Sequence, residues 1–201
     1  MDKITIKIPD LKNNQIEQKA IDLLAAYYKK NKGSLEAPIP VFEIVEYLGY
    51  HLDFNEEGIF QDENMLGATY SNDKKIEINE KISKQIGRMN FTIAHEIGHI
   101  QLHGSLKEDV LCREDEGIYG SKKETIEIQA DKFAAYLIMP TDLVKEAFYT
   151  FYNQPVNVAK RKFIEIFFPK SKRYKAMGVA SNVLESGNFN NVSKLAMVNR
   201  L

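Results

Sequence analysis

The stretch FTIAHEIGHIQLH, Phe91 to His103, places three of the chain's four histidines at positions 95, 99 and 103, with Glu96 directly after the first. Phe91, Ile93, Ala94, Ile97 and Ile100 are interleaved with them, and the 3.6-residue period predicts a helix from about Ile82 to Gly104. Four residues turn a helix by about 400°, so His95 and His99 leave the same face one turn apart. Two imidazoles so placed can reach one cation at about 2.0–2.1 Å. Glu96, about 100° round, stands beside such an ion rather than on it. This is the H-E-x-x-H arrangement of zinc peptidases, in which the glutamate acts as general base on water activated by the metal. Gly98, inside the motif, costs about 1 kcal/mol of helix propensity, which implies that a neighbour packs close to the backbone there.

A catalytic zinc takes three protein ligands and keeps one position open. His103 continues the stripe, but three ligands on one rigid helix would span about 12 Å, too far for one ion. His103 is therefore expected to pack at the helix end or cap it beside Gly104. The better source is TIEIQADKFAAYLIMP. It predicts a helix over Thr125–Met139, with Phe133, Ala134, Leu137 and Ile138 buried and Pro140 barring continuation. Glu127 and Asp131 share one face of it. Glu127 can complete a His/His/Glu site, and Asp131 can accept a hydrogen bond from the free ring nitrogen of a ligand histidine, fixing its tautomer. The residues alone leave this open, because a solvated helix face carries such pairs too and Glu124 is a rival carboxylate.

The chain has 201 residues, room for one domain or a domain with a small appendage, and its 44% hydrophobic and 27% charged content is that of a globular protein. A net charge of −1 gives no global field toward nucleic acid or membrane. No apolar run approaches the roughly 18 residues of a membrane span. The N-terminus shows no signal-peptide pattern, and the single cysteine, Cys112, excludes an internal disulfide framework, so a cytoplasmic location is expected. Charge is uneven: Thr141–Leu201 holds ten Lys/Arg against four Asp/Glu, a net +6. A boundary in the 140–155 region divides the chain into an expected peptidase domain, 1–145, and a small basic helical region, 146–201. Within the first, Asn14–Lys30 and VFEIVEYLG read as helices, YHLDF as extended, and GATYS and KKIEIN as a hairpin around SND. An acidic irregular stretch covers 105–123. Thr141 is placed to cap a helix over TDLVKEAFYTFYN. His51 and Cys112 are read as packing residues.

The block RMNFTIAHEIGHIQLH, followed in order and at similar spacing by EIQADKFAAYLIMP, resembles the ImmA/IrrE family of bacterial and phage metallopeptidases. The resemblance covers about residues 40–145. It implies an α+β fold, a mainly helical zincin-like core with a small sheet. It also implies His95, His99 and Glu127 as ligands of one zinc ion, Glu96 as catalytic base and Asp131 as the orienting carboxylate. The substrate class it implies is a helix-turn-helix repressor of a mobile element, phage or stress regulon. FNNVSKLAMVNRL near the C-terminus is similar to a short helix-turn-helix-like segment of relatives. DNA contact is one reading of it, and a helical segment that completes the core is preferred. Tyr70 and Tyr136 are the candidate oxyanion donors, and the GATYS strand is the candidate edge for an extended substrate. The rival function is a zinc-containing regulatory module that binds a repressor, an antitoxin or DNA without cutting.

Overall fold

The structure, a computed structural model, describes residues 9–55, 65–104, 121–157 and 172–201, with the backbone alone at 121–124. Cys112 and most of the acidic stretch lie outside the described residues. Those described form seven α-helices and one three-stranded sheet, the mainly helical α+β architecture expected. The helices are α1 (Asn13–Asn31), α2 (Val41–Tyr47), α3 (Ile86–His103), α4 (Ser121–Ile138), α5 (Thr141–Phe151), α6 (Lys172–Ser186) and α7 (Lys194–Arg200). The strands are β1 (His51–Asn55), β2 (Gly67–Tyr70) and β3 (Lys75–Asn79), and a 3-10 turn at Glu80–Ile82 precedes α3.

The helical period of α1 buries Ile16, Ala20, Leu23, Leu24 and Tyr27, and the helix ends where Lys32 turns left-handed at φ 53°. β2 and β3 form the expected hairpin, with Lys74 at φ 51° closing its turn. The sheet order is β1-β3-β2, with β1 parallel to β3 and β2 antiparallel to it. β2 is therefore an edge strand. Alternation along β3 sends Ile76 and Ile78, both fully buried, toward α3. Thr69 on β2 pairs with Ile76 and faces the same way. His51 opens β1 exposed to solvent instead of packing, because that strand's burial is slight along its whole length.

α3 packs most extensively on α4, and Gly98 is where they meet. A methyl group there would stand 3.1 Å from the Ala130 carbonyl oxygen and 3.2 Å from its Cα, so the glycine admits the backbone of α4. α1 packs on the other side of α4, with Lys132 Nζ donating to Asn13 Oδ1. The segment after α5 joins the same core: Ala180, Val183, Phe189, Val192 and Met197 are buried in one cluster with side chains of α1, α2 and α3. Asn188 and Asn191 donate to the Ala37 and Ile39 carbonyls, and Arg200 Nε to that of Met139. Ser193 caps α7, its Oγ accepting from the Ala196 amide at 3.1 Å. Thr141 does not cap α5. Its hydroxyl instead joins Glu17 of α1 to Arg200 of α7.

Candidate metal centre

One ligand atom from each of His95, His99 and Glu127 falls within 4.8 Å of the other two, an arrangement that can hold a metal ion. His95 Nε2 lies 3.0 Å from His99 Nε2 and 3.0 Å from Glu127 Oε2, and His99 Nε2 lies 3.6 Å from Glu127 Oε1. A tetrahedron with bonds of about 2.0–2.1 Å has edges of about 3.3–3.4 Å. The separations, two of them to different Glu127 oxygens, lie close to that value, and the two imidazoles and a carboxylate are a donor set that suits a divalent cation such as zinc. The helical stripe supplies the first two ligands, and the contact of α3 with α4 at Gly98 supplies the third.

Asp131 stands where the spacing on α4 predicts. His95 Nδ1–H donates to Asp131 Oδ1 at 2.8 Å, leaving Nε2 for the cation. Burial opposes a proton on His95, yet the Asp131 and Glu127 carboxylates outweigh it and raise the imidazole to about 10. Burial would raise Glu127 as well, and the His95 and His99 rings beside it instead hold its carboxyl far below the ordinary carboxylate range. The site is thus arranged to keep positive charge at the meeting point of the three side chains.

Glu96 is buried beside this group and turned toward β2, where the Thr69 hydroxyl donates to its Oε2 at 2.8 Å. Gly67 makes the approach possible. A Cβ there would lie 2.9 Å from Glu96 Oε1 and 2.9 Å from Thr92 Cγ2.

Tyr70 and Tyr136 each have a cation beside the ring. Tyr70 follows Thr69, so strand alternation points it to the sheet face away from α3, where Lys75 Nζ lies 4.8 Å from its ring centre. Tyr136 comes nine residues after Glu127, about two and a half turns, which puts it on the opposite side of α4. There the Arg200 guanidinium lies 4.9 Å from its ring centre. The side chain of Glu124 lies outside the described residues.

His103 is fully buried rather than capping its helix. Its Nδ1 lies 3.3 Å from His99 Nδ1 and its Nε2 2.9 Å from Gln129 Oε1. Burial pushes it down to about 4 against the hydrogen bond to Gln129. Gln129 and Thr69 have no part in the motif-based reading. For Gln129 the sequence did carry a signal: it falls on the apolar stripe of α4 between the buried Ile126 and Phe133. A polar side chain there needs a polar partner.

Two histidines one turn apart, a glutamate between them and a carboxylate from a second helix form the H-E-x-x-H-plus-glutamate arrangement found in metallopeptidases. The sequence model of the M78 peptidases, described as the IrrE N-terminal-like domain, matches residues 46–163, more than half of the 201. The chain belongs to that metallopeptidase family, in agreement with the resemblance read from its motifs. No curated relative matches the chain. Among the described residues, no helix is long and apolar enough to cross a membrane.

Proposed function

We propose that the protein is a zinc-dependent endopeptidase that cuts a helix-turn-helix repressor at a specific site. The observation that carries the hydrolytic reading is Glu96, buried next to the His95/His99/Glu127 group and held by the Thr69 hydroxyl. A purely structural metal site has no use for such a base. Zinc, when bound by those three side chains, supplies the Lewis acidity that polarises a carbonyl and makes water nucleophilic near neutral pH. Glu96 accepts a proton from the attacking water and delivers it to the departing amine. Asp131 holds His95 in the tautomer that offers Nε2 outward. β2 is the outer strand of the described sheet and runs beside α3, and an extended substrate segment pairs with it by strand addition. The repressor as substrate is supported by the family resemblance of the two motif blocks.

The test is incubation of the zinc-loaded chain with a repressor encoded beside its gene, with and without chelator, against Glu96→Gln. The parent is expected to cleave. The variant should retain its zinc and lose activity by at least about 100-fold. A Glu96→Gln protein that relieves repression as well as the parent would favour the non-cleaving regulatory module instead.

A further inference from the structure

His103 is wholly buried, and the proposed reaction gives it no task. Both its ring nitrogens are nonetheless engaged, and the chain of contacts continues to a backbone carbonyl. Gln129 Nε2 donates to the Pro9 oxygen at 2.8 Å, Gln129 Oε1 meets His103 Nε2 at 2.9 Å, and His103 Nδ1 meets His99 Nδ1 at 3.3 Å.

The direction of every bond follows from the last partner. A carbonyl oxygen only accepts, so Gln129 must turn its NH2 to Pro9 and its oxygen to His103. That oxygen also only accepts, so His103 carries a proton on Nε2 and presents a lone pair at Nδ1. Two facing lone pairs would repel, so His99 holds its proton on Nδ1. Its Nε2 is then left with a lone pair, and this is the atom that faces His95 Nε2 and Glu127. Gln129 and His103 are 4% and 0% exposed, so water is not at hand to substitute for either.

We propose that His103 is a positioning residue of the metal centre: together with Gln129 and the Pro9 carbonyl it forms a one-way hydrogen-bond relay that locks His99 in the Nδ1–H tautomer and presents its Nε2 to a divalent cation. This rests on the metal-binding reading of His95, His99 and Glu127. The two ligand histidines are thus supported differently. His95 leans on the carboxylate of Asp131, 59% exposed in its side chain, whereas His99 leans on a neutral, buried amide–imidazole chain. The segment ahead of α1 becomes part of the centre, since Pro9 selects which way the Gln129 amide points.

Imidazole 15N NMR of the zinc-loaded full chain reads the protons directly. His99 is expected to be protonated on Nδ1 and His103 on Nε2. Zinc affinity, measured by competition with a chelator, supplies the second readout for the parent, His103→Leu and His103→Asn. Leucine fills the space and offers no acceptor, while asparagine sets its Oδ1 where the imidazole has Nδ1. The leucine variant should bind zinc about 10–100-fold more weakly, and asparagine should restore most of the loss. A space-filling role predicts the reverse order, because leucine suits an apolar pocket better than asparagine. A proton on Nδ1 of His103, or a leucine variant with parental affinity, overturns the relay. A parent that binds no zinc overturns the metal-binding reading and the relay together, so the two failures are distinguishable. The NMR arm needs no variant and decides the matter even where a substitution prevents folding.

Discussion

At the scale of residues, His95 carries the charge balance of the centre. Its imidazole is raised to about 10 in the metal-free chain, so at neutral pH a cation must displace a proton. As pH rises toward 10 that displacement becomes easier. Zinc affinity should therefore increase by about tenfold per pH unit between pH 7 and 9, read by chelator competition. The same shift acts on stability with the opposite sign. A raised folded-state value stabilises the metal-free chain fully below about 6.5, its ordinary value, and the contribution fades as pH climbs to about 10. Denaturant midpoints of the chelated protein should fall across that window, and those of the zinc-loaded protein should not follow. Thr69→Val keeps the strand's shape and removes the hydroxyl that donates to Glu96 Oε2. It should lower turnover with little change in zinc affinity, since the hydroxyl acts on Glu96. His95, Glu96 and His99 were legible because the helical period alone fixes which side chains share a face. Asp131 was legible for the same reason. Thr69 was not, because its meeting with Glu96 depends on how a strand 27 residues away lies across the helix.

At the scale of elements, the junction of α3 with α4 determines whether two imidazoles and a carboxylate meet. Gly98→Ala improves helix propensity by about 1 kcal/mol. It also thrusts a methyl into the Ala130 backbone, which is locked in α4 and cannot yield locally. The helices must separate by a few tenths of an ångström, drawing Glu127 from the histidine pair. Zinc affinity should drop even if the metal-free chain unfolds no earlier, a contrast visible by running both measurements on one preparation. The unusual glycine was readable in the sequence as a sign of close approach, though not what approaches. The hairpin was equally readable from its alternation and its turn residues. For Tyr70 and Tyr136 the phase of the element decides direction. Tyr70 directly follows Thr69 and Tyr136 shares a helix with Glu127, but strand alternation turns the first away from α3 and half a helical turn separates the second from Glu127. Sequence proximity to a site says nothing of direction unless the phase of the element is counted from a residue known to face it.

At the scale of the whole molecule, the basic C-terminal region and the motif-bearing region share one hydrophobic core. Phe189 is fully buried within it, far in sequence from the histidines. Phe189→Ala should cost about 3–5 kcal/mol, and the loss should register in the same cooperative transition that releases bound metal. The described part of the basic region, residues 146–157 and 172–201, contributes Ala147, Ala180, Val183, Phe189, Val192 and Met197 to that core. The centre itself is lopsided toward solvent. The side chains of Glu127 and Asp131 are 46% and 59% exposed, whereas that of His99 is 10% exposed. An arriving ion therefore meets carboxylate at the rim before nitrogen at the floor, and can shed its hydration in stages. On the metal-binding reading, loading and stripping should then proceed through the native state, and stripping by a chelator should outpace global unfolding when both rates are measured on one preparation.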